Sequence, residues 1–217
     1  MPTLIIGNKN YSSWSLRPWL LLKHAGVAFD ERRLSLFSTE FKHELGRYSA
    51  AGKVPVYQDG ALTLWESLAI CEYVAEQHPE LWPAERHTRA LARALCSEMH
   101  AGFGALRSEL PMNCRARQRR IEIGAACRAD IERIEGLWRD CRARYADLGP
   151  WLFGRYSVAD AYFAPVVLRF EGYRLELAED TRAYGATALA DPHLQQWIAA
   201  GRAEAEVLAA DEAGAEV

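Results

Sequence analysis

The sequence changes its periodicity at Pro79-Glu80-Leu81-Trp82-Pro83, a compact linker with two prolines. That switch constrains the fold more than any single motif. Before it, short apolar runs alternate with helical stretches. After it, every apolar pattern has helical spacing. Leu91, Leu95, Met99, Phe103 and Leu106 recur at i, i+4, i+8, i+12 and i+15, one face of an amphipathic helix. The pattern predicts a long helix to about Leu110, where Pro111 breaks it. Ile121, Cys127, Ile131, Ile134, Leu137, Trp138 and Cys141 predict a second, ended by Leu148-Gly149-Pro150. Ser157-Val158-Ala159-Asp160 has the S-x-x-D form of a capping box before the apolar run Ala161–Phe170, with Tyr156 placed as a staple. Asp191-Pro192 opens another short helix carrying Leu194, Trp197 and Ile198, and the small, acidic tail 209–217 reads as frayed.

The first eighty residues follow another grammar. Thr3–Gly7 reads as a strand, and the helix after it is capped by Ser15, tolerates Pro18 in its first turn and stops at Gly26. Phe29–Leu36 reads as a second strand, so a βαβ unit is expected. Ser38–Ser49 is polar with helical character around Phe41, Leu45 and Tyr48. Pro55 cannot donate to a ladder, which marks a strand start or a cis turn. Asp59-Gly60 is a hairpin signal, Ala61–Trp65 the returning strand, and Glu66-Ser67 opens a helix that ends at His78-Pro79. The order is β-α-β-α-β-β-α, then helices only: an α/β unit joined to an all-α unit.

Net charge is −3 and half the residues are hydrophobic, which argues against disorder and against a nucleic-acid partner. The basic run Arg115, Arg117, Arg119 and Arg120 reads as the solvated start of a helix. Five cysteines, widely spaced and without a CxxC pair, argue against a disulfide framework or a zinc site. No HxxxH pair suggests a metal. Met1-Pro2-Thr3 is not the start of a signal peptide, and no apolar run has the length of a membrane span. A cytoplasmic protein without membrane partners is expected.

Chemistry concentrates in Asn10–Trp19. Ser12, Ser13 and Ser15 stand where a strand hands over to a helix. Helix N-termini expose unpaired N–H groups and stabilise an anion, or a hydroxyl or thiol about to lose a proton. With Ser12-Ser13-Trp14-Ser15-x-Arg17, Val54-Pro55, Asp59-Gly60…Glu66-Ser67 and Ser157-x-x-Asp160 in this order, the chain resembles a cytosolic glutathione S-transferase over nearly its whole length. The serine-rich motif is most similar to the zeta class and related bacterial proteins, which carry a cysteine where Trp14 stands. The resemblance implies a thioredoxin-like N-terminal domain (1–80) that binds glutathione as co-substrate, a linker (81–84), and an all-helical C-terminal domain (85–217) that helps bind an electrophile. It also implies a homodimer, with the exposed side of the Ala61–Gln77 region as the contact.

The resemblance assigns roles residue by residue. A serine hydroxyl donating to the glutathione sulfur would lower the thiol pKa, ordinarily near 8.5. Ser12 matches the zeta-type position and is preferred. Ser13, four residues before Arg17, has the spacing of other serine-type classes and stays open, with Ser15 as the cap. A cis Pro55 would turn the Val54 backbone toward the cysteinyl unit. Glu66 would accept from the α-ammonium of the γ-glutamyl end, and Ser67 would donate to its α-carboxylate. Lys53, or Lys42, would pair with the glycyl carboxylate. Trp14, Met99, His100, Phe103 and Arg107 are expected at the electrophile. The function implied is glutathione transfer to a small electrophile. The alternatives are a maleylacetoacetate isomerase-like or peroxidase reaction, or a non-catalytic glutathione-binding module.

Overall fold

The computed structural model describes residues 1–36 and 38–215. Four strands form one mixed sheet in the order β2-β1-β3-β4. β1 (Thr3–Ile6) pairs in parallel with β2 (Asp30–Arg33) and antiparallel with β3 (Val56–Asp59), which pairs antiparallel with β4 (Leu62–Trp65). Successive strand residues point to opposite faces. Leu4 and Ile6 accordingly enter the main core with helices α1 (Ser13–His24) and α3 (Ser67–Gln77), while Ile5 joins Leu34, Leu45 and Val56 on the other face. Leu45 lies on the short helix α2 (Phe41–Gly46). β2 reads Asp-Glu-Arg-Arg and is wholly exposed, an edge strand protected by charge.

The rest is helical: α4 (Arg86–Ala101), α5 (Gly104–Glu109), α6 (Ala125–Tyr145), α7 (Val158–Gly172), α8 (Glu179–Leu189) and α9 (Pro192–Ala203). Every residue of α7 except Glu171 is buried. A helix apolar on all sides belongs at the centre, and α7 packs between α1 and α4. Its start is held by Asp160, whose carboxylate accepts from Ser157 N and Ser157 Oγ at 2.9 Å, and from Leu152 N and Tyr184 Oη at 3.0 Å. Tyr156, placed as the staple, stacks on His24 of α1 at 3.4 Å.

Four expectations need correction. The long helix expected to reach Leu110 stops at Ala101. Phe103 takes a left-handed φ of +59°, and Arg107 folds back to donate to the carbonyls of Met99, His100 and Gly102, satisfying groups that helix termination frees. α1 begins two residues before Ser15, so Ser12 occupies the cap position and Ser15 lies inside the first turn, accepting from Gly7 N at 3.2 Å. α6 begins at Ala125 rather than Ile121, because Arg119 and Arg120 form bridges with Tyr173 and Ala215. The tail is anchored, not frayed, through 215: a 3-10 turn at Ala209–Asp211 is followed by Glu212, which accepts from Tyr11 Oη at 2.6 Å and Arg119 at 2.7 Å. Glu216 and Val217 of that expectation lie outside the described residues.

Candidate functional site

A cavity of about 330 Å³ lies where the sheet meets the helical half. Three separate N-terminal segments converge on it. Lys53, Val54 and Pro55 come from the loop before β3, and the Val54–Pro55 bond is cis. Glu66 and Ser67 come from the start of α3, and Trp14 from the first turn of α1. His100 of α4 closes the far wall. Glu66 holds φ at +68°, a region that costs a non-glycine residue free energy and recurs at functional sites. This turn presents the Glu66 carboxylate beside the N-terminus of α3.

Behind Trp14, outside the cavity lining, lie two guanidinium groups. Arg17 is 1% exposed and lies 4.2 Å from the centre of the Trp14 ring, and the Arg107 guanidinium lies 4.5 Å from the same ring. Burial, aided by Arg107 and Arg169, draws the Arg17 guanidinium down to about 9. Its Nε donates to the Tyr162 carbonyl at 3.1 Å, but Nη1 of both Arg17 and Arg107 is buried without a partner. Uncompensated buried charge is costly, so these groups favour an anion nearby. Burial, together with Arg17 and Arg107, also pulls His100 below the usual imidazole range against the opposing pull of Glu66, 3.6 Å away.

The other expected residues lie outside the cavity lining. Ser12 and Ser13 are 6% and 7% exposed and immediately precede the lining residue Trp14 in the chain. Ser12 Oγ donates to Ser15 Oγ at 2.7 Å, and Ser13 Oγ accepts from Arg169 Nη2 at 3.4 Å, which leaves the Ser13 proton uncommitted. Lys42 is exposed on α2. Met99 and Phe103 are core residues at 1% and 7% exposure, and Arg107 is occupied by the α4 carbonyls. A larger groove of about 760 Å³ at the linker, lined by Trp82, Tyr145 and Phe153, contains none of the expected residues.

Residues 11–77 match the family model of the glutathione S-transferase N-terminal domain. The chain also superposes on a glutathione transferase homolog from Burkholderia, crystallised with bound glutathione, with a TM-score of 0.71 and 27% identity over 94% of this chain and 99% of that one. Residues 11–77 thus carry a glutathione S-transferase N-terminal domain. A theta class glutathione S-transferase from Xanthomonas axonopodis pv. citri, also with glutathione bound, matches with a TM-score of 0.65 and 26% identity over 91% and 96% of the two chains. Among curated proteins, a probable maleylacetoacetate isomerase of Caenorhabditis elegans is 35% identical over 107 residues, 48% of this chain and 49% of that protein. The chain thus matches about half the length of that relative. The maleylacetoacetate isomerase of Rattus norvegicus is 22% identical over 82% of each chain.

The loop before the serines is held by residues that the sequence pattern did not assign to it. Glu204, just after α9, accepts from Lys9 N at 2.8 Å and Asn10 N at 3.1 Å. Trp197 Nε1 donates to the Lys9 carbonyl at 2.9 Å, and Arg115 donates to the Glu204 and Glu206 carbonyls and to Tyr11 Oη. Glu206 accepts from Arg33 at 2.7 Å and Ser35 at 2.9 Å. Arg115 and Arg119, read as solvated, are thus tied into the tail. The partners stand up to 195 residues apart, beyond any local pattern.

Proposed function

We propose that the chain is a cytoplasmic glutathione transferase in which the tripeptide lies along the cavity and a hydroxyl at the start of α1 stabilises its thiolate. The convergence of Lys53, Val54–Pro55, Glu66 and Ser67 on one cavity carries this reading. Lys53 meets the glycyl carboxylate, the Val54 backbone pairs with the cysteinyl unit, and Glu66 with Ser67 takes the γ-glutamyl end. The thiol proton leaves to solvent. The sulfur then forms a bond to the electrophilic carbon beside Trp14 as that carbon's bond to its leaving group breaks, with halide released to solvent in the case of an aryl halide. Ser13, whose proton is uncommitted, and Ser12, once released from Ser15, are the two donors to compare. The similar structures crystallised with glutathione support glutathione as the ligand.

Calorimetric titration with glutathione, followed by conjugation assays with an aryl halide on Ser12→Ala and Ser13→Ala, tests the proposal. Binding by wild type with loss of conjugation in one variant is expected. A wild type that does not bind glutathione refutes the reading, and two fully active variants refute the serine assignment. A second reading is glutathione-dependent isomerisation, favoured by the unpartnered Arg17 and Arg107 nitrogens, which suit a substrate bearing a carboxylate, and by the curated relatives. Isomerisation regenerates glutathione whereas conjugation consumes it, so product analysis separates them. A homodimer joined through the exposed Leu62–Trp65 edge, where Trp65 is 53% exposed, is checked by sedimentation of wild type and Trp65→Glu.

A further inference from the structure

The two residues assigned to the γ-glutamyl end are wired to a single imidazole of the helical half. Ser67 Oγ and Tyr162 Oη are buried 2.9 Å apart. Tyr162 Oη lies 3.2 Å from His100 Nδ1. The other ring nitrogen, Nε2, lies 3.6 Å from Glu66 Oε2. Trp14 holds the ring edge-on at 5.3 Å. Burial drives the Tyr162 phenol far above its ordinary range, so it keeps one proton to place between two neighbours.

Counting protons gives two arrangements. When His100 is neutral with its proton on Nε2 toward Glu66, Nδ1 is an acceptor. Tyr162 then donates to Nδ1, Ser67 donates to Tyr162, and the serine offers a ligand only lone pairs. When His100 is doubly protonated, Nδ1–H donates to Tyr162. The phenol proton turns to Ser67 Oγ, and the serine proton is free for a ligand. A donating hydroxyl suits a carboxylate, and the α-amino-acid end of glutathione carries one.

We infer that His100 and Tyr162 are positioning residues for the α-amino-acid end of glutathione, with the protonation state of His100 deciding whether Ser67 donates to that carboxylate. The inference rests on the glutathione reading above. The groups facing His100 are Glu66 at the start of α3, Tyr162 of α7, Arg17 with Trp14 of α1, and Arg107 of α5. Burial and the two arginines keep the ring neutral at pH 7, so Ser67 acts as acceptor there and becomes a donor on acidification.

The test is calorimetric titration with S-methylglutathione, whose blocked sulfur removes the thiol titration, from about pH 7.5 down to about 4.5, through and below the ordinary histidine range of about 6.5, because His100 titrates below it. Wild-type Kd should tighten about fivefold on acidification, the worth of one hydrogen bond. His100→Gln, neutral at every pH, should bind with no such pH dependence. Tyr162→Phe, which keeps the ring, and Ser67→Ala, which removes the end of the relay, should also be pH-independent. A general packing defect would weaken binding without flattening its pH profile. His100→Gln or Tyr162→Phe retaining the wild-type profile overturns the inference. A wild type that binds with pH-independent affinity overturns it and leaves the glutathione reading standing. A wild type that does not bind refutes both.

Discussion

Asp160→Asn is the sharpest test of how the helical half is held together. The side chain is 2% exposed and its two oxygens accept four hydrogen bonds. The amide keeps one oxygen, which can still serve Leu152 N and Tyr184 Oη. Its NH2 then faces Ser157 N, donor against donor. A buried N–H left without an acceptor costs about 1–3 kcal/mol, so about 2 kcal/mol is expected at pH 7. For a chain of this length that lowers Tm by about 4–8 °C. The pH dependence gives a second number. Burial, against the opposing pull of its hydrogen bonds, raises the carboxyl from 3.8 to about 6. The folded state therefore holds the proton more tightly than the unfolded state. This group's contribution is fully present below 3.8 and is lost as pH rises through 6. From pH 7 to pH 4.5 it adds about 2 kcal/mol to wild type and nothing to the amide. Urea unfolding should show the gap widening from about 2 to about 4 kcal/mol on acidification. A gap that stays constant or narrows would refute the claim that the folded site raises this carboxyl.

Glu204→Ala strips the acceptor from Lys9 N and Asn10 N. It should cost about 2 kcal/mol in urea unfolding and lower conjugation, because the serine loop loses its outer support. Gly201→Ala places a Cβ 3.0 Å from Asn10 N and 3.1 Å from the Lys9 carbonyl carbon. Backbone cannot yield there, and a loss of about 1–3 kcal/mol is expected by thermal unfolding, with no loss refuting the close approach. All five cysteines are buried, and burial pushes the Cys127 thiol to about 11 and those of Cys114 and Cys141 to about 12. A disulfide reagent at pH 8 should therefore label the native protein slowly if at all, and all five thiols in denaturant, read by absorbance.

What the sequence revealed about this fold was local. The proline before β3, the Asp59-Gly60 turn, the Glu66-Ser67 helix start and the Ser157–Asp160 cap each act on neighbours a few residues away, and short-range chemistry leaves a short-range signature. The Phe103 break was hidden because Met99, Phe103 and Leu106 keep helical spacing across it. Only the return of Arg107 to the α4 carbonyls explains why the chain can stop there. The serine assignments come from the family resemblance, yet a hydroxyl's role depends on which partner holds its proton, and Ser15 and Arg169 enter that question only in three dimensions. His100 is put at the electrophile by the family resemblance, which sets the middle of this helix over the serines. Its ring nitrogens find Glu66 and Tyr162, residues 34 and 62 positions away in sequence. The tail misled most. Small acidic residues describe a loose end unless the matching arginines and amides are known to wait for them.

The Glu204 clasp also bears on how such chains can be recombined. The linker at 79–83 is an inviting place to cut, since the periodicity changes there. A fragment ending at that point would leave Lys9 N, Asn10 N and the Lys9 carbonyl without their α9 and tail partners. A hybrid carrying a relative's helical half would inherit whatever side chain that relative places at the position of Glu204. The two halves therefore do not exchange as independent modules. The unit that must be transplanted intact is the serine loop together with α9 and the tail through Glu212 that fasten it.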